Sequence, residues 1–106
     1  MRSKFDEQLK TLNEEMMHMG SMIEESIQKA SEAFIHQEAD SAKAIMEGDS
    51  EIDREKKKIE SLCFNLLMQQ QPVARDLRTI SAAMKMVTDM ERIGDHAADI
   101  SEMTIL

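Results

Sequence analysis

The stretch IMEGDSEIDREKKKIESLCFNL, residues 45–66, decides the fold of this chain. An aliphatic residue recurs there at a strict spacing of seven, at Ile45, Ile52, Ile59 and Leu66. A seven-residue apolar repeat keeps one seam of a helix facing the same partner along a supercoiled pair. This stretch therefore predicts a long helix that packs against other helices along its whole length.

Two further helical patterns flank this seam, with apolar residues spaced by three and four, the period of a helix. The first pattern contains Phe5, Leu9, Leu12, Met16, Met19, Ile23, Ile27, Ala30 and Phe34. The last contains Leu77, Ile80, Met84, Val87, Met90, Ile93, Ala97 and Ile100. Residues 37–40 form a polar break, and Pro72 disfavours helical geometry in the residue before it. We expect helices over about residues 4–36, 41–71 and 73–104, each about 45 Å long.

The composition indicates the same fold class. The 106 residues include 3 Gly, 1 Pro and 3 aromatic residues, all of them Phe, whereas strands and tight turns need aromatic, Gly and Pro residues. The hydrophobic content of 42% is sufficient for a buried core. We predict a single all-α domain over residues 1–106. Its expected architecture is an antiparallel, up-down-up bundle of three long helices with short connections.

Charge and cysteine content argue against several classes of function. The net charge is −8, whereas nucleic-acid binding depends on Lys and Arg at phosphates. The single cysteine, Cys63, has no partner for a disulfide within the chain, and the charged N-terminus lacks the apolar run of a signal peptide. No stretch is apolar enough to cross a membrane, so we expect a cytoplasmic protein. Because the sequence contains no phosphate loop, Ser/His/Asp set or Cys/His cluster, nothing in it predicts an enzyme.

Acidic residues border the apolar stripes of the second and third helices. Asp49 and Asp53 lie one turn apart beside the seam of the second helix, and Glu91, Asp95 and Asp99 repeat every four residues in the third. Like charges at this spacing destabilise a helix, so a row of acids is often accompanied by a cation. Oxygen-rich sites suit metals such as Fe, Mn, Mg and Zn. The two rows therefore indicate a candidate metal site.

Two other interpretations remain open at this point. In a chain with 21 acids, an acidic row is typically a solvated face, and Arg92, or Lys56 across a helix pair, could neutralise it. Glu15 and His18 have the spacing of ligands in di-iron four-helix bundles, which makes a metal-storage or redox bundle the alternative function. That architecture needs a second such pair and another helix, so His18 is interpreted as a surface residue.

Four strings of the sequence carry a family resemblance. QPVARDLR, residues 71–78, and DMERIGDHAADI, residues 89–100, closely resemble the PhoU family of bacterial phosphate-signalling regulators. EGDSEID, residues 47–53, is similar to the second-helix motif of that family, and MGSMI, residues 19–23, fits its first helix. The resemblance therefore covers nearly the whole chain, in order.

This resemblance implies a fold and a metal site. Members of the family consist of two tandem three-helix bundles, and this chain resembles the first of them, without the second. Each bundle holds a metal cluster through paired E(D)xxxD motifs on neighbouring helices. The motifs match Asp49 with Asp53 and Glu91 with Asp95, and Asp99 extends the second row. The implied metal is iron or zinc, with manganese and magnesium as further candidates.

The resemblance also implies a role and partners. Family members are non-enzymatic regulators that damp the phosphate-starvation response. The implied partners are the ATPase subunit of a phosphate ABC transporter and a sensor histidine kinase. We expect a homo-oligomer, a homodimer in the simplest case, with no catalytic residues and no bound organic cofactor.

Overall fold

Three long helices make up the described chain: α1 spans Arg2–His36, α2 spans Ala39–Met68 and α3 spans Ala74–Ile105. The computed structural model describes residues 2–68 and 74–105, without the side chains of residues 2, 3, 41, 42, 47 and 48. The predicted all-α, three-helix fold is confirmed. The predicted end of the second helix at Gln71 and the break at Pro72 lie outside the described residues.

A tight turn at Gln37 and Glu38 joins α1 to α2. Gln37 has a φ of 58°, the left-handed conformation in which many helices end. The N–H of Glu38 donates to the carbonyl oxygen of Ala33 at 2.9 Å, which is the six-to-one bond of a Schellman motif. Gln37 Nε2 also donates to the carbonyl oxygen of Phe34 at 3.0 Å. So short a connection makes α1 and α2 antiparallel neighbours.

The hydrophobic core runs along the axis of the bundle, where each helix packs against the other two. The bundle measures 54 × 17 × 16 Å, as expected for three helices of this length lying side by side. The predicted seam of α2 is confirmed, because Ile45, Ile52, Ile59 and Leu66 are all buried. Ile52, Ile59 and Leu66 belong to a core cluster that includes Phe5, Leu12, Met19, Ile80 and Val87.

Six of the apolar residues that carry the helical period in α1 and α3 are exposed: Ile27, Phe34, Leu77, Met84, Ile93 and Ile100. Small residues fill the core near the α1–α2 turn instead, where Ala30, Ala33 and Ala97 pack with Ile45. Gly94 also faces α2, where an added β-carbon would lie 3.6 Å from Ile52, an ordinary van der Waals contact. None of the described helices is long and apolar enough to cross a membrane.

Candidate metal-binding site

The five acids predicted as metal ligands lie on one face, between α2 and α3. Asp49, Asp53 and Glu91 are half-buried, and Asp95 and Asp99 are exposed. Burial raises the pKa of Asp49 above its ordinary value, and the charges of the other four acids raise it further. The structure therefore brings the other four predicted residues close enough to Asp49 to disfavour its charged form. We call this set the acidic face.

A direct contact between carboxyl groups joins the two helices at this face. The carboxyl groups of Asp53 and Glu91 lie beside each other, and this contact lowers the pKa of Asp53. Lys57 Nζ, 3.5 Å from Asp53 Oδ2, lowers that pKa as well. Two carboxyl groups in contact need a proton or a cation near them. The acidic face is thus a place where positive charge is favoured.

Lys56 supplies part of that positive charge. Its Nζ donates to Glu91 Oε1 at 2.9 Å, and the two side chains are only 23% and 24% exposed. This hydrogen bond raises the pKa of Lys56. The neutralisation by Lys56 that the sequence offered as an alternative is therefore observed, whereas Arg92 is exposed. An ammonium group lies among the acids where a metal ion would be expected.

The acidic face offers the kind of ligand that a metal ion prefers, but its side chains do not surround one position for an ion. Carboxylate oxygens are the ligands that hard divalent cations prefer. Within residues 2–68 and 74–105, however, no three Asp, Glu, His or Cys side chains are placed to hold one ion. A metal would therefore have to replace the Lys56 ammonium and draw the carboxylates inward.

A second pair of carboxyl groups, between α1 and α2, was not predicted from the sequence. The carboxyl groups of Glu15 and Glu55 lie beside each other, and Lys58 Nζ donates to Glu15 Oε1 at 3.1 Å. Glu15 Oε2 and Glu55 Oε1 are buried without a described donor. Burial and the neighbouring Glu15 raise the pKa of Glu55, whereas Glu55 and then Lys58 lower that of Glu15. Glu55 is therefore the more readily protonated member of the pair.

This second pair does not support the di-iron alternative. The sequence pairs Glu15 with His18, but His18 is exposed and Glu15 faces Glu55 and Lys58. One signal for Glu55 is present in the sequence, since it lies three residues after Ile52 and four before Ile59, bordering the seam. The run of mixed charges around Glu55, residues 51–60, is instead typical of an exposed face.

Glu55→Gln is expected to stabilise the protein at neutral pH by about 1 kcal/mol, because the amide donates to Glu15 without needing a proton. In the wild type the pKa of Glu55 is raised on folding. Its contribution to stability is therefore present below the ordinary value of 4.5 and is lost as the pH rises through the raised value. The gain from Glu55→Gln should then shrink as the pH falls. Urea unfolding of both proteins at a series of pH values measures this gain in the free energy of unfolding.

The control for this prediction is Glu51→Gln, an exposed substitution on the same helix. It should change the free energy of unfolding little at any of these pH values. A Glu55→Gln protein that is less stable than the wild type at neutral pH would contradict the interpretation that this pair of carboxyl groups lacks a hydrogen-bond donor.

Comparisons with known proteins agree with this architecture. The chain matches the PhoU domain over residues 16–104, which include the whole acidic face. Phosphate-specific transport system accessory protein PhoU homologues of Synechocystis sp. and Clostridium acetobutylicum are 39% and 43% identical to it over 104 and 102 residues. These alignments cover 98% and 95% of this chain but 46% and 47% of those proteins. The crystal structure of PhoU from Pseudomonas aeruginosa superimposes with a TM-score of 0.92 and 32% identity, over 95% of this chain and 48% of that one.

These matches place the bundle in a class of all-helical proteins whose relatives are named as accessory proteins of phosphate transport. The chain belongs to the PhoU family. It spans about half the length of the curated relatives that it matches.

Proposed function

We propose that this chain acts as a non-enzymatic regulator of phosphate uptake and of the phosphate-starvation response. The observation that carries the proposal is the match in both sequence and fold: 32% identity and a TM-score of 0.92 to a PhoU structure, over 95% of the chain. Its relatives are named as accessory proteins of phosphate-specific transport systems. A bundle 54 Å long presents continuous helical faces suited to contact with other proteins.

The partners in this proposal are the ATPase subunit of the phosphate ABC transporter and the sensor histidine kinase. The chain would link the transporter to the kinase in the cytoplasm, so that the state of the transporter reaches the kinase. Family resemblance supports this pair of partners. The proposal assigns no catalytic step to the chain, since regulation of this kind requires only binding.

The acidic face is the second part of the proposal: it binds a divalent metal, iron or zinc in the first instance, with manganese or magnesium as further candidates. Asp49 and Asp53 would supply ligands from α2, and Glu91, Asp95 and Asp99 from α3. The metal would supply positive charge to this face. The raised pKa of Asp49 supports this role, since a bound cation relieves repulsion between neighbouring carboxylates. Exchange of Lys56 for the metal would fix the relative position of α2 and α3.

A chimera tests the proposed function. This chain replaces the matching 97 residues of the Escherichia coli K12 relative, to which it is 33% identical, in cells that lack their own PhoU. A reporter of phosphate-starvation genes is measured in excess phosphate. We expect the chimera to restore repression, and Asp49→Asn/Asp95→Asn in the chimera to lose it. The control, Glu7→Gln/Glu14→Gln, removes two exposed charges from α1 and should still repress.

The outcomes separate the two parts of the proposal. A stably expressed chimera that leaves the reporter fully active would contradict the regulatory role. Full repression by the Asp49→Asn/Asp95→Asn chimera would contradict a role for the acidic face and leave the regulatory role in place.

A further inference from the structure

The flank of α3 that carries Glu91 continues toward the start of the helix as an apolar row. Met84 and Leu77 lie seven and fourteen residues before Glu91. Glu91 faces α2 through its contact with Lys56, and positions seven apart lie on one row of a helix. Leu77 and Met84 therefore lie on the side of α3 nearest α2, yet they are 42% and 40% exposed.

The facing flank of α2 also carries two exposed apolar side chains. Leu67 lies fourteen residues after Asp53, and Asp53 lies beside Glu91 of α3. Phe64 lies seven residues after Lys57, which contacts Asp53. Leu67 and Phe64 are 39% and 63% exposed. Both therefore lie on the rows of α2 that border α3.

These apolar side chains lie at the same level along the two helices. The connection from α2 to α3 is short, so the two helices are antiparallel neighbours. Phe64 lies eight residues beyond Lys56 on α2, and Met84 lies seven residues before Glu91 on α3. Leu67 lies about one turn further along α2 than Phe64 does. One surface, which we call the α2/α3 patch, therefore contains Phe64, Leu67, Leu77 and Met84.

The size of the α2/α3 patch fits one helix of another protein. At about 200 Å² for a fully exposed side chain of this size, its four residues present about 370 Å² of apolar surface. The largest apolar patch on a typical monomer is about 300–600 Å² and is often functional. A standard interface buries about 800 Å² on each partner, so the patch matches a smaller contact.

Two cations border the α2/α3 patch. Arg78 and Lys85 directly follow Leu77 and Met84 in the sequence, and both are exposed. Neither of them forms an ion pair with a residue that the structure describes. Elsewhere in the described chain, four lysines each pair with a carboxylate: Lys29, Lys56, Lys57 and Lys58. In a chain with 21 acids, cations left unpaired beside an apolar patch favour a partner that brings its own carboxylates.

We propose that the α2/α3 patch docks an amphipathic helix of another protein, one that carries carboxylates beside its apolar residues. The apolar side chains of that helix cover the patch, as in other complexes of a helix with a hydrophobic groove. Its carboxylates pair with Arg78 and Lys85 on the α3 side, away from Glu60 of α2. This extends the regulatory role proposed above, on which it rests, by stating the chemistry of a partner's contact surface.

The test measures binding of two synthetic peptides to the purified chain by fluorescence anisotropy. Both have about 20 residues, long enough to form a helix, and the same row of Leu; one has Glu beside that row, and the other has Lys at the same positions. We expect the Glu peptide to bind about tenfold more tightly, although the net charge of −8 by itself favours the Lys peptide. Arg78→Glu/Lys85→Glu should reverse this preference, a result that misfolding does not produce.

Two further variants separate the apolar contact from the charges. Lys4→Glu/Lys43→Glu reverses two other exposed charges and should keep the preference for the Glu peptide. Phe64→Ala removes the most exposed side chain of the patch and should weaken the binding of both peptides.

Three results would overturn the proposal: no binding of either peptide, a wild-type preference for the Lys peptide, or a preference that Arg78→Glu/Lys85→Glu leaves unchanged. Retention of the chain on vesicles of equal parts phosphatidylglycerol and phosphatidylcholine, without binding of the Glu peptide, would overturn it by assigning the cations to a lipid surface. The reporter of phosphate-starvation genes is independent of these measurements. A chimera that fails to repress while the purified chain binds the Glu peptide would contradict the regulatory role alone.

Discussion

Ile59→Asp is expected to unfold the bundle. Ile59 is fully buried at the middle of the α2 seam, within the core shared by all three helices. A carboxylate placed there without a partner costs several kcal/mol, comparable with the total stability of about 5–15 kcal/mol of a domain of this kind. Circular dichroism at room temperature should show that most of the helical signal is lost.

The matched control is Ile35→Asp, the same substitution at a position that is 72% exposed. This protein should keep the helical signal of the wild type and melt at nearly the same temperature. If Ile59→Asp melts like Ile35→Asp, the α2 seam is not the centre of the core.

The seam of α2 shows which part of the fold sequence reasoning can predict. Its four aliphatic residues recur at intervals of seven, and the residues between them are mostly polar as far as Ser61, so one face of the helix is buried. In α1 and α3 the apolar residues are more numerous than the core positions. Ile27 and Ile93 follow the helical period as well as buried residues do, yet both are exposed. Near the α1–α2 turn small residues such as Ala30 take the core positions, and apolar periodicity alone does not distinguish them from the larger exposed residues beside them.

The acidic face was predictable for a similar reason, and its details were not. Glu91, Asp95 and Asp99 recur every four residues and therefore lie on one side of α3. This can be predicted without knowing where the other helices lie. This row lies beside Asp49 and Asp53 only if α2 and α3 are rotated suitably about their axes. The α2 seam and the family resemblance both indicated that rotation. Whether Lys56 or a metal neutralises the acids depends on the positions of side chains, which the spacing of residues in the sequence does not determine.

Metal-dependent stability is the second large effect that we expect. At 100 times its dissociation constant, a ligand that binds only the folded state stabilises it by about 2.7 kcal/mol. In a domain of about 100 residues this corresponds to a rise in melting temperature of about 10–20 °C. Because Lys56 occupies part of the acidic face in the absence of metal, Lys56→Gln should bind the metal at lower concentration than the wild type.

Asp49→Asn/Asp95→Asn is the most informative variant for this effect. It removes one carboxylate from each helix and leaves the pair of Lys56 with Glu91 intact. Each repulsion relieved is worth about 0.2–0.5 kcal/mol, so the metal-free variant should be slightly more stable than the wild type. The loss of ligands should abolish the much larger shift with metal, and the two effects are therefore separable.

The most direct test of a metal site on the acidic face is a thermal melt of chelator-treated protein with and without added Zn²⁺ or Mn²⁺. We expect a rise of at least several degrees for the wild type, no rise for Asp49→Asn/Asp95→Asn, and the full rise for Glu7→Gln/Glu14→Gln, which loses the same charge from α1. Equal shifts in all three proteins, or no shift in the wild type, would contradict it and leave the acidic face as a solvated surface that Lys56 neutralises.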